Sequence, residues 1–309
     1  MIVDMHAHWW TSDYPARGFY DAFIKYGVTV SGRPEERVRQ RVERLIDPEG
    51  EQLIASLDKA GIDKCVISMI DFGLTRGIGE GKLSLEAQHA LHNGLAGKYP
   101  GRLILFMGID PRRPNAVELL ERCVKEWGMK GAKFHPGSGF FPSDRELYPF
   151  YAKAQEFGIP LLFHTGPEMY PLYSKYSLPL HLDQVAVDFP ELPVIAAHCG
   201  DCYWEEAARL AAGKPNMYLD VAGWQQRAKR RPVEEFYGPL RTVLNIVGAH
   251  KVLWGTDWPA LDNYMSQAEW MGYFQDPPDA AKEAGIEFSQ REIDAILGGN
   301  AARLLGLDR

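Results

Sequence analysis

The sequence predicts a closed (β/α)8 barrel, a TIM barrel, with a cap insertion after its first strand. Three observations carry that expectation. Apolar runs alternate strictly with amphipathic helical stretches, and eight such runs occur in one chain of 309 residues. The runs are also nearly continuous in apolar character, as parallel strands buried on both faces must be. Length alone, at about 150 residues per domain, suggests two domains, but barrels of about 250 residues fold as one. No linker divides the chain, so residues 1–309 read as a single domain with an insertion at about 9–47.

In order, the strand candidates are Ile2–His8, Lys64–Ile70, Leu103–Asp110, Gly131–Pro136, Pro160–Thr165, Pro193–His198, Met217–Ala222 and Lys251–Asp257. Each is bounded by turn residues. Helix-period stretches fall between them at Gly50–Ala60, Leu85–Lys98, Ala116–Trp127, Glu146–Phe157 and Glu234–Val247. Three connections, Trp9–Asp47, Asp71–Ser84 and Gly166–Leu178, exceed the usual length of about 4–6 residues. All three follow strands, which places them on the C-terminal face where barrel active sites sit.

Composition excludes several functions. Thirty-four Lys plus Arg against 41 Asp plus Glu leave a net charge of −7, a poor match for nucleic acid. No apolar run approaches the roughly 20 residues of a membrane span, and the start, MIVDMHAHWW, has no basic, apolar leader. A cytoplasmic enzyme with a small-molecule partner is the default expectation. Four cysteines are too few for a disulfide framework. Cys199-x-x-Cys202 lacks a second pair, the Gly77–Gly81 glycines lack a phosphate-loop ending, and no G-x-S-x-G occurs.

The histidines are more informative. Five of the nine lie at predicted strand ends: His6 and His8 on strand 1, His135 on strand 4, His164 on strand 5 and His198 on strand 6. Asp257 ends strand 8. A period of two puts His6 and His8 on one face about 7 Å apart, and barrel closure brings Asp257 beside them. Three imidazoles and one carboxylate suit zinc or a similar divalent ion with a position left for water. By contrast, His250 precedes strand 8 at the opposite rim, and His89 and His92 read as partly exposed mid-helix residues. His181, after the long strand-5 loop, reads as outside the site.

These residues carry a resemblance. DMHAH at 4–8, KFHP at 133–136, FHT at 163–165, AHCG at 197–200 and GTDWP at 255–259 resemble the amidohydrolase superfamily. The ending ILGGNAARLLG at 296–306 is similar to its amidohydrolase-related branch, which holds aminocarboxymuconate-semialdehyde decarboxylase-like enzymes. The resemblance implies one divalent ion, zinc by preference, on His6, His8, His164 and Asp257. It implies His198 behind them, orienting or deprotonating bound water. Lys133 is read as a cationic group or buried salt-bridge partner, with a carbamylated lysine bridging a second metal as the alternative. Relatives in this branch are often dimers, which raises a homodimer as the assembly.

The expected reaction is hydrolysis of a small cyclic or aromatic amide, lactone or ester, with Asp257 and His198 as catalytic groups. The alternative is non-oxidative decarboxylation of an aromatic or unsaturated carboxylic acid on the same residues. A barrel without catalysis has no need of an intact ligand set. On the substrate side, Trp10 and Trp258 adjoin ligands and are expected to line the pocket together with Lys133 and His135. The stretch Arg33–Arg44 carries five Arg and three Glu. It reads first as a solvated helix face, with a carboxylate clamp as the minority reading.

Overall fold

The protein is described by a computed structural model covering residues 1–307. Eight parallel strands lie in sequence order: β1 (Val3–Ala7), β2 (Lys64–Ser68), β3 (Leu103–Gly108), β4 (Gly131–Phe134), β5 (Leu161–Phe163), β6 (Val194–Ala196), β7 (Met217–Asp220) and β8 (Val252–Leu253). The Met5 amide donates to the Trp254 carbonyl at 2.9 Å, and Ala7 bridges Trp258, so the last strand meets the first and the barrel closes. Every predicted strand is present, although β5, β6 and β8 are only two or three residues long. Their predicted ends instead turn sharply into the loops that build the site.

The sheet separates two apolar layers. Val66, Ile104, Phe106, Leu162, Ile195 and Leu253 pack with Val3 and Met5, and Ala301 and Leu305 of the C-terminal helix join the same cluster. The alternate residues of these strands, such as Ile67, Met107, Phe134, Phe163 and Val252, form a larger layer beneath the surrounding helices. Gly131 leaves room inside: a Cβ there would lie 2.4 Å from the Phe106 ring.

The segment between β1 and β2 carries α1 (Arg17–Ser31), α2 (Glu35–Glu43) and α3 (Glu51–Ala60). Ile24 of α1 packs on Val38 and Val42 of α2, and Gly27 permits the approach because a Cβ would sit 2.7 Å from Val38. Helix α4 (Leu85–Lys98) buries His89 and His92 completely, contrary to the partly exposed placement expected. For His92 the reason is the insertion: Trp9 and Tyr14 cover it with their rings 5.1 and 4.8 Å away, while His89 stacks on Trp127 at 6.3 Å. Burial pushes His92 down to about 3 and His89 to about 4, so both stay neutral. No helix of the described residues is long and apolar enough to cross a membrane.

Candidate metal centre and active site

The β1 end is re-aimed by an irregularity in the sheet. Asp4 pairs with Cys65 but Ala7 pairs with Ile67, so three steps of β1 oppose two of β2. Such bulges concentrate beside active sites because they redirect side chains. Beyond it, His6 Nε2 lies 3.8 Å and His8 Nε2 3.3 Å from Asp257 Oδ1. These three groups form a divalent metal site, with one donor atom each within 4.8 Å of the others.

The donors fit a cation because their outer nitrogens are already committed. His6 Nδ1 donates to Asp220 Oδ2 at 2.6 Å, His8 Nδ1 to the Ser68 carbonyl at 2.8 Å, and His198 Nδ1 to the Ala222 carbonyl at 2.8 Å. The carbonyl and carboxylate oxygens accept, so Nδ1 of each ring donates in its bond and Nε2 is the nitrogen turned inward. His164 is turned the other way: Nδ1 approaches His198 Nε2 at 3.2 Å, while Nε2 faces Glu168 at 3.5 Å. At that separation the two rings form a hydrogen bond, with one of the two nitrogens carrying the shared proton.

Lys133 projects from β4 into this ring of imidazoles, with Nζ 3.0 Å from His6 Nε2. Burial pulls the ammonium down to about 8, against the attraction of Asp220, Asp257 and Glu168. Burial favours the neutral form of Asp257, but the hydrogen bond with His8 and the His198, His6 and His8 rings outweigh it, and the carboxyl stays well below its usual range. Asp220 moves the opposite way, up to about 6, through burial. Both His198 (φ 60) and Asp257 (φ 54) hold left-handed backbone, a strain of order 1–3 kcal/mol that non-glycine residues retain mostly at functional sites.

His164 does not join the His6–His8–Asp257 trio directly. It belongs to a neighbouring group with His135 and Glu168, stacking on the His135 ring at 4.1 Å. Glu168 was missed at the sequence level, as was Asp220. Glu168 accepts from Ser177 Oγ at 2.6 Å, and burial raises it to about 8. His135 Nδ1, 3.3 Å from Glu168, has no hydrogen-bond partner.

One cavity of about 340 Å³ opens onto these groups, and His8, Lys133, His135, His164, His198 and Asp257 line its floor. Trp10 lines it too, amid Phe19, Phe23, Ile70 and Phe72. Trp258 does not: it is buried in the outer apolar layer. His181 contacts the Lys175 carbonyl away from the cavity, and His250 lies in the turn before β8. Cys199 and Cys202 are free thiols, the first buried and the second exposed.

Barrel and site together define a metal-dependent enzyme. The chain belongs to the amidohydrolase family, whose pattern it matches over residues 3–307, in the branch that contains the decarboxylases. It is 25% identical to 2-keto-4-carboxy-3-hexenedioate hydratase of Sphingobium sp. (strain SYK-6), over 98% of this chain and 96% of that one. It is 24% identical to gamma-resorcylate decarboxylase of Polaromonas sp. (strain JS666), over 86% and 90% of the two chains. The fold is similar to that of dihydroxybenzoic acid decarboxylase from the same Polaromonas strain, solved with manganese and the inhibitor 2-nitroresorcinol. The TM-score is 0.71, with 18% identity over 100% of this chain and 97% of that one.

These relatives overturn the expected hydrolase. They are decarboxylases and a hydratase rather than hydrolases. The physical reason lies in the motifs. They specify a donor set for a divalent ion, and the same donors serve an activated water or a bound acid equally well.

Proposed function

We propose that the protein is a metal-dependent, non-oxidative decarboxylase of an aromatic or unsaturated carboxylic acid. We read residues 1–309 as one domain, with the insertion at about 9–47 capping the site. The observation that carries this reading is the Lys133 ammonium among the metal donors, at the floor of a cavity walled by aromatic rings. An acid head group meets cationic partners there, and a flat ring meets Phe72 and Trp10 above.

His6, His8 and Asp257 hold the ion, with His164 completing the set in this reading and Asp220 fixing the His6 ring. The donor types favour zinc, although manganese occupies the dihydroxybenzoic acid decarboxylase. The ion supplies Lewis acidity toward the substrate oxygens. Lys133 binds the carboxylate. Asp257, ionised at rest, accepts the proton of a neighbouring substrate hydroxyl and returns it to the carbon that bears the carboxylate. The bond to CO₂ then breaks, its electron pair stays with the ring, and solvent reprotonates the ring oxygen. His198 positions the acid from the opposite side, with its carbonyl held by Trp224 Nε1 at 2.8 Å.

The test is a panel of hydroxybenzoates and unsaturated polycarboxylates given to protein of measured metal content, scored for CO₂. Release of CO₂ from at least one acid is expected. Turnover that consumes an acid without CO₂, by adding water across a double bond or cleaving an ester, overturns the reading.

A further inference from the structure

The outer end of the cavity has a chemistry of its own. Arg33, Arg37 and Arg41 line it from α2 and the turn that precedes that helix. None of the three has a carboxylate within ion-pair distance among the described residues, whereas Arg39, on the same helix, pairs with Glu35 at 2.8 Å. Arg33, Arg37 and Arg41 are four residues apart, so they lie along one side of the helix and repel one another. An isolated helix is destabilised by that arrangement, and the chain as a whole carries a net charge of −7. Among the described residues, the only acidic ones on the cavity wall are Asp257 and Glu168, both at the floor.

Between floor and rim the wall is apolar and continuous. Ring contacts step from His135 to Phe72 at 4.9 Å, from Phe72 to Phe19 at 5.2 Å, and from Phe19 to Phe23 at 5.8 Å. Phe23 packs with Val38 and Val42 on α2, the helix that carries the arginines. A benzoate bound at the floor leaves the outer part of such a cavity unfilled.

We propose that Arg33, Arg37 and Arg41 form a second anion subsite, so that the substrate is an elongated aromatic acid with one carboxylate at the metal and another anionic oxygen group at its far end. Guanidinium forks suit a terminal carboxylate in two-pronged geometry, and the basic mouth of an acidic protein draws anions in. The inference rests on the decarboxylase reading for the floor end of the ligand.

The experiment titrates metal-loaded protein calorimetrically with three probes. They are 2-hydroxybenzoate, 2-hydroxy-4-(3-carboxypropoxy)benzoate and the terminal carboxamide of the latter. The tailed dicarboxylate should bind about tenfold tighter than its carboxamide, and that ratio should shrink as salt is raised. In Arg37→Gln/Arg41→Gln the ratio should approach one, and Arg37→Lys/Arg41→Lys should retain part of it. If 2-hydroxybenzoate binds but dicarboxylate and carboxamide bind alike, the subsite is refuted and the decarboxylase reading stands. If none of the three probes binds, the elongated aromatic substrate is refuted, and the CO₂ panel alone decides the decarboxylase reading.

Discussion

His6 on β1 and Asp220 on β7 meet across the barrel at 2.6 Å, with both side chains fully buried. The carboxylate fixes the ring so that Nε2 faces Asp257, and the pair couples two strands far apart in the chain. Asp220→Asn should therefore weaken metal binding by about 10–100-fold without unfolding the barrel. Metal retained after dialysis against graded chelator measures it.

Removing a donor should act more severely. His6→Ala and Asp257→Ala should each lose the ion, and Asp257→Asn should lower the rate of CO₂ release by roughly 10²–10⁴-fold. Metal analysis and a CO₂ assay on the same samples check this. Full turnover in any of the three would exclude the assigned site.

Lys133→Met tests the cationic floor. A buried ammonium is expensive to hold, so the melting temperature should stay level or rise. The value of kcat/KM should fall by roughly 100-fold or more as the carboxylate loses its partner.

His250 is exposed in the turn leading into β8, at the opposite rim from the site. His250→Ala should leave metal content and turnover unchanged and stability within about 0.5 kcal/mol.

Glu292 receives Arg241 at 2.8 Å and caps its own helix with Ser289. The Arg241 contact, working against burial, holds its carboxyl down at about 2 from an ordinary 4.5. The folded value is the lower one, so this stabilisation is present above about pH 4.5 and lost as pH falls toward 2. Glu292→Gln should lower stability near neutrality by about 1 kcal/mol. Denaturant melts should show the gap from wild type closing below pH 4.5.

The strand-end histidines were legible because a two-residue period and a parallel barrel fix where a strand's last side chains go. That logic extends to Asp220, which ends β7 on the same face as Tyr218 and falls under the same rule. Glu168 obeys no period: it lies in a loop, and only the fold of residues 166–178 carries it back to His135 and His164. Trp258 shows the limit of adjacency. The left-handed backbone of Asp257 turns the chain, so the next side chain enters the outer core while its backbone bridges Ala7. His92 was misplaced because Trp9 and Tyr14 of the insertion cover it, and His89 because it stacks on Trp127, contacts that no helical period reveals. The reaction was not legible at all, since the motifs encode a donor set and leave its use open.

The offset between β1 and β2 has a bearing on how this chain can vary. One surplus residue between Asp4 and Ala7 sets which way His6 and His8 point, so the length of that stretch carries information its letters do not. Even pairing of the same residues would carry the alternation of Val3 and Met5 onward and turn His6 and His8 to the outer face, with every metal-binding histidine still in the sequence. Substitutions near the start can drift, but a change in count cannot.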